Sequence, residues 1–280
     1  MTERRITDRM LNAFETMLKE DEKSKHTVEK YMRDVRCFQY FAKKRCIDKT
    51  LTIEYKSFLE KEYATASANS MIAALNSFLR FIGWDECCIK QFKVQKKTYC
   101  SENDELTKAE YLSLVRAAES EQNERLSLLI QTICGTGIRV SEVEYITVEA
   151  AQRGEAVVSC KGKTRIVFIV SALRKKLMSY AKKHGIESGM IFVTKNGKAL
   201  NRSNIWREMK NLCKQAGVSP DKVFPHNLRH LFARTFYGIE KDIAKLADLL
   251  GHSSINTTRI YIVSTGAEHK RRIERMHLIL

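Results

Sequence analysis

The residues of this chain with chemistry to offer are Arg139 in GTGIRVSE, Lys161 in CKGKTR, His226 and Arg229 in HNLRH, His252 in LLGH, and Tyr261 in TTRIYI. Between them they supply a hydroxyl nucleophile, proton donors and acceptors, and fixed positive charge, the set that phosphoryl transfer to a protein hydroxyl requires. A phosphodiester carries one negative charge, and its pentacovalent transition state places more on the nonbridging oxygens. Two guanidinium groups and a histidine donor therefore bind the transition state better than the ground state. A bond to tyrosine conserves the energy of the broken phosphodiester, so rejoining needs neither ATP nor a metal. No Walker motif and no acidic metal cluster is evident, and no cofactor is expected.

Taken singly, each residue also has a structural explanation. Arg139 follows the break at Gly135 and Gly137, and Glu142 three residues on shares its helical face, where a carboxylate would hold the guanidinium fork for a phosphate or simply form a surface pair. Lys161 and Lys163 both stand at a polar turn between two apolar runs, where a long side chain could swing into a substrate. Pro225 marks a helix start, placing His226, Arg229 and His230 at i, i+3 and i+4 beside free N-terminal amides. There His226 can accept a proton and Arg229 can clamp a phosphate, while His230 reads as a supporting, hydrogen-bonded residue. A metal pair of His226 and His230 lacks the glutamate of HExxH, Asn227 standing in its place. Gly251 ends the amphipathic stretch IAKLADLL as a helix cap, which throws His252 into a turn where it can donate to a phosphate oxygen. Tyr261 follows nine residues later and by itself would be called core.

The elements that must position these groups are mostly helical. Apolar residues at 10, 11, 14, 17 and 18, at Val28, Tyr31, Met32, Val35, Phe38 and Phe41, and at Met71, Ile72, Leu75, Phe78, Leu79 and Ile82 each mark one helical face. Residues 1–92 are expected to form one helical domain, residues 93–106 a linker carrying Lys93, Lys96 and Lys97, and residues 107–280 a second domain with its C-terminal tail. Thr107 and Glu110 fit a capping box, with Leu106 and Tyr111 as its hydrophobic staple. The runs 156–160 and 166–170 predict two strands of a small antiparallel sheet around the turn KGKTR. A further helix within 201–217 has Ser203 as its cap, Ile205, Met209, Leu212 and Ala216 inward, and Arg202, Asn204, Arg207 and Lys210 outward.

The 280 residues suffice for two domains, and 44% apolar composition gives each a core. A net charge of +16 is spread over both halves: residues 1–100 carry 20 Lys and Arg against 14 Asp and Glu, leaving 29 against 19 for the rest. Such a distribution suits a protein that grips a polyanion from two sides. Eight cysteines without a CxxC pair are expected to be reduced thiols, with no metal site. No apolar run approaches membrane-spanning length, and the charged start MTERRITDRM is not a signal peptide, so a cytoplasmic protein with no membrane partner is expected.

In this order, and with GH followed by TT and then Tyr261, the motifs resemble those of the tyrosine recombinase family, the phage-integrase and Xer-like enzymes. The resemblance is weak over residues 1–98 and strong from about 107 to 262. It implies a two-domain, mainly α fold with a helical, SAM-like core-binding domain ahead of the catalytic domain. It implies a site-specific DNA recombinase working through a 3′-phosphotyrosyl intermediate, with Arg139, Lys161, His226, Arg229, His252 and Tyr261 as its catalytic set. Lys161 matches the family's KG motif and would protonate the leaving 5′ oxygen, with Lys163 as a phosphate contact. By the same resemblance the helix with Arg202, Asn204, Arg207 and Lys210 enters the major groove. Double-stranded DNA with paired recognition sites is the implied partner, held by a homotetramer that exchanges C-terminal tails and is nucleoid-associated when on DNA. Two alternatives share the motifs: a type IB topoisomerase relaxing one duplex, and a non-catalytic DNA-binding derivative of the fold. The target sequence, the outcome (integration, excision, inversion or resolution) and any accessory protein are not written in the residues.

Overall fold

The computed structural model describes residues 4–43, 45–94, 105–160, 163–194, 196–252, 254–261 and 274–276. The chain divides into two compact units, Met1–Lys96 and Lys97–Leu280. Of the expected linker, residues 95–104, with Lys96 and Lys97, lie outside the described residues, as do Lys161 and most of the tail after Tyr261.

Among the described residues the first unit has four α-helices, α1 (Asp8–Glu20), α2 (Lys25–Ala42), α3 (Lys49–Glu62) and α4 (Thr65–Phe81), and a 3₁₀ turn at Asp85–Cys87. Thr7, Ser24 and Asp48 cap the first three by accepting a free first-turn amide. The predicted faces of α1, α2 and α4 line the core, where Phe14 meets Phe78 edge-on at 5.2 Å between ring centroids. The helix α3 shows no broad apolar stripe in the sequence; it buries Leu51, Tyr55 and Leu59 along one side while six charged residues occupy the rest. Asn69 and Asn76, two turns apart on α4, each pair through both amide atoms with the backbone beyond the helix, Asn69 with Phe92 and Asn76 with Ile89. The chain is thereby held along α4 up to the residue before Lys93, which is exposed.

In the second unit, α5 (Lys108–Ser120) opens with the expected capping box of Thr107 and Glu110 and packs on α6 (Glu124–Thr136). A 3₁₀ turn (Val140–Tyr145) and a short α7 (Val148–Arg153) lead into a hairpin of β1 (Glu155–Cys160) and β2 (Lys163–Phe168). The second strand begins three residues earlier than predicted, because Lys163, Thr164 and Arg165 pair with Cys160, Ser159 and Val158. Lys163 is thus a strand residue rather than part of the turn. Then come α8 (Ser171–Lys183), α9 (Arg202–Ala216), α10 (Pro225–Glu240), α11 (Ile243–Leu250) and α12 (Ile255–Arg259). Asn201, not Ser203, caps α9; its carboxamide oxygen accepts from Ser203 N at 2.8 Å, so the helix starts two residues earlier. The helix α6 is central, packing against α5, α8, α9 and α10. Among the described residues no helix is long and apolar enough to cross a membrane.

Candidate active site

Three local features aim the site's side chains at one place. At the end of α6, Gly137 adopts φ +64°, and a Cβ there would lie 2.5 Å from the Phe232 ring, so only glycine permits this close turn. The turn leaves Arg139 as the N-cap of the following 3₁₀ segment, with Glu142 directly beneath it. Pro225 opens α10 at its first position, which carries His226, Arg229 and His230 on successive turns. Gly251 caps α11 in the left-handed conformation, and His252 and α12 follow immediately.

Arg139 donates from Nη1 to Glu142 Oε1 at 2.8 Å and from its backbone N to Oε2 at 3.0 Å. Glu142 is 2% exposed. Burial would raise its pKa, but the hydrogen bonds from Arg139 and the charges of Arg165 and Arg139 outweigh that and hold it below the usual carboxylate range. Arg229 is 1% exposed and donates to Gly137 O and Leu250 O, both at 2.6 Å. It meets no carboxylate in those contacts. Burial first, then the charge of Arg139, lowers its pKa to about 10, with the nearby Tyr261 phenol working the other way.

His252 is bonded through both ring nitrogens. Its Nε2 lies 2.9 Å from Arg229 Nη2 and its Nδ1 2.9 Å from the buried Thr258 hydroxyl. A guanidinium only donates, so Nε2 must accept and the proton sits on Nδ1, giving a neutral imidazole. Burial and the charges of Arg229 and Arg139 push its pKa down to about 4, in keeping with that tautomer. In this arrangement His252 orients Arg229 and has no N–H to offer a phosphate, a departure from the donor role expected of it.

Tyr261 is 5% exposed and lies among three histidines, its ring centroid 4.3 Å from His230, 5.3 Å from His252 and 5.6 Å from His226. Burial, then His226 and Arg229, lowers the His230 pKa to about 4; burial, then Arg229 and Arg139, lowers that of His226. Both are therefore neutral near pH 7. Asn227, in the position a zincin would give to glutamate, is buried and bonds Lys222 O. Among the described residues no three His, Cys, Asp or Glu converge as metal ligands. On α9, Arg202 and Arg207 are exposed, and the charge of Arg202 reaches His226. Arg207 is tied to Asn204 at 2.7 Å, and Lys210 turns back over Trp206 to Pro220 O.

Residues 104–268 match the phage integrase family, and residues 11–86 match the N-terminal SAM-like domain of phage integrases. The chain belongs to the phage integrase family of tyrosine recombinases. It is 29% identical over 295 residues to the tyrosine recombinase XerA of Pyrococcus furiosus, spanning 100% of this chain and 98% of that protein. A crystal structure of XerA recombinase aligns with 98% of this chain and 100% of its own at 25% identity and a TM-score of 0.54. A lambda integrase tetramer bound to a Holliday junction shares the fold, with a TM-score of 0.74 at 20% identity over 90% of this chain and 76% of that one.

Two residues of this integrase's site escaped the sequence. Arg165 donates to Glu142 Oε2 at 2.5 Å and to Leu249 O at 2.9 Å, and Thr258 orients His252. A signal for Arg165 is present in the sequence: it shares the alternation of buried Val167 on β2 and of Ile169 just beyond its end, an arginine on the apolar face of a strand. Thr258 lies within the TT motif, which by itself assigns neither threonine a partner.

Proposed function

We propose that this chain is a site-specific recombinase that cuts and rejoins DNA through a 3′-phosphotyrosyl intermediate, acting as a tetramer on two synapsed sites. The observation that carries it is the setting of Tyr261: a buried phenol among neutral histidines, beside an arginine whose buried charge no carboxylate among the described residues balances. Such a place is unfavourable when empty and favourable around a phosphate.

Attack of the Tyr261 oxygen forms the O–P bond and releases its proton to His226, which is neutral and able to accept it. Arg139 and Arg229 balance charge growing on the nonbridging oxygens. The P–O5′ bond breaks as the leaving oxygen takes a proton, which the resemblance assigns to Lys161, with Lys163 contacting phosphate. A 5′ hydroxyl from the partner strand then reverses these steps and displaces the tyrosine. Residues 1–92 would serve as the core-binding domain and 107–280 as the catalytic domain. Between them the linker, with Lys93, Lys96 and Lys97, would close the grip on the duplex, while Arg202, Asn204, Arg207 and Lys210 face the groove. The tetramer and the DNA partner rest on the likeness to the lambda integrase assembly.

Trapping covalent complexes in the source cell and sequencing the attached DNA identifies the target. On that DNA, Tyr261→Phe should bind normally and form no adduct, since only the nucleophilic oxygen is lost. A phosphotyrosine mapping elsewhere in the wild type refutes the assignment. Cleavage should persist in excess EDTA; loss in EDTA restored by added metal would transfer the positive charge from the arginines to an ion.

A further inference from the structure

Helix α9 carries a stripe of three side chains one turn apart, Arg202, Trp206 and Lys210, and both of its ends lie beside the start of α10. The charge of Arg202 is felt at His226. At the other end Lys210 Nζ stands 6.0 Å from the ring centroid of Phe224, the N-cap residue of α10, and donates to Pro220 O. On the opposite face of α9, Glu208 accepts from Arg125 Nη2 of α6 at 3.0 and 3.2 Å. The stripe is therefore held at the rim of the site on an anchored helix.

Trp206 is the unusual member. Its indole is 50% exposed, and Lys210 Nζ lies over the ring, 5.1 Å from its centroid. Single exposed apolar side chains are ordinary on a protein surface. This one is steadied, because the cation over its face is itself held by the Phe224 ring and the Pro220 carbonyl. The indole is thus presented to solvent in a set orientation, and the ordering that a contact would otherwise cost is already in place.

The surroundings of the ring decide what it fits. Arg202 and Arg207 are exposed on the same stretch of helix, and such flanking cations match a polyanion. In the major groove of DNA the base edges present hydrogen-bond donors, acceptors and one apolar group, the 5-methyl of thymine. Trp206 stands one helical turn, about 6 Å, from Arg202 and the His226 end of the stripe. Its partner would accordingly be a base pair close to the phosphate being cut.

We propose that Trp206 is a specificity-determining residue: its indole, steadied by Lys210, packs against the 5-methyl group of a thymine in the major groove beside the scissile phosphate. This rests on the reading of the chain as a DNA-cutting recombinase, and it adds an apolar contact to the polar ones that α9 offers.

Duplexes selected from a random pool for binding, with no cleavage step, test it. Those selected by the wild type should share a fixed thymine, and replacing that base by deoxyuridine, which lacks only the methyl group, should weaken binding about three- to tenfold. Trp206→Ala should select duplexes without that preference and bind the thymine and deoxyuridine forms within about twofold of each other, whereas Trp206→Phe, which keeps a ring, should retain most of the discrimination. In a Trp84→Phe background Trp206 is the remaining tryptophan, and its fluorescence should shift on binding the thymine form and shift less with deoxyuridine. That measurement leaves position 206 intact, so it decides the matter even if Trp206→Ala folds poorly. The absence of a fixed thymine, equal affinity of the wild type for the two forms, an unresponsive Trp206 fluorescence, or a Trp206→Ala variant that still discriminates overturns the proposal. So does a variant that weakens all duplexes alike, which would assign the indole to the sugar-phosphate backbone. Selected DNA that shows the methyl dependence but never forms an adduct at Tyr261 refutes the proposed function and leaves the thymine contact standing.

Discussion

Each unit of this integrase buries a charged side chain, and the two are treated in opposite ways. In the first, Asp34 on α2 is 3% exposed and receives Lys30 at 2.6 Å and Arg33 at 3.2 Å, both cations reaching out to solvent. Lys30 also donates to Ser70 on α4 at 2.6 Å, so the charge is neutralised and tied into the packing of two helices. In the second, Arg229 is 1% exposed, donates to two carbonyls and a neutral imidazole, and has Arg139 rather than a carboxylate among its charged neighbours. Burying a charge without a counter-ion costs several kcal/mol. The balanced charge serves the fold. The other meets no carboxylate among the described residues, and the proposed function leaves it for an anion to complete.

Exchanging the two charges for neutral groups should separate these roles. Arg229→Met should lower adduct formation at saturating DNA by at least about 100-fold. Its unfolding free energy should change by less than about 2 kcal/mol, since the relief of a buried charge offsets two carbonyls left without donors. Asp34→Ala should do the reverse, losing roughly 2 kcal/mol of stability by urea denaturation while cutting bound DNA at the wild-type rate. If Arg229→Met unfolds the protein and Asp34→Ala abolishes cleavage, the contrast collapses.

Acid sharpens the comparison. His230 and His252, with pKa values near 4, and His226, also lowered, stay neutral in the folded second unit, whereas in the unfolded chain they take up protons near pH 6.5. Between those values the unfolded state binds more protons, so stability falls as pH drops from about 6.5 towards 4. Denaturation midpoints from pH 7 to 4.5 should show this slope, and His230→Phe should remove roughly 2 kcal/mol of the loss at pH 5. An unchanged slope in that variant would show His230 already protonated in the fold. The smallest effect is expected at Asn69, whose amide atoms hold Phe92 N and O. Asn69→Ala should cost about 1 kcal/mol and leave the cleavage step untouched, as measured by denaturation and single-turnover adduct formation.

Much of this was legible in the residues alone. The apolar faces of α1, α2 and α4, the capping box at Thr107, Pro225 at the first position of α10 and Gly251 at the end of α11 all follow from interactions within one or two turns. Such interactions leave a period or a cap that a sequence displays. Apolar content alone predicts the second strand three residues late, because the ladder from Lys163 to Phe168 depends on hydrogen-bond register with β1. The helix α3 is not legible in the sequence because its apolar side is narrow. The order and types of the site residues were likewise determined by the sequence, and with them the chemistry they can perform. What only the tertiary structure decided is which donor meets which acceptor: Arg139 and Gly251 O are 112 residues apart, Arg165 and Leu249 O 84, and Arg229 and Leu250 O 21. Contacts over such separations obey no local period, so the tautomer of His252, the sharing of Glu142 and the unbalanced charge of Arg229 emerge only when packing brings the elements together.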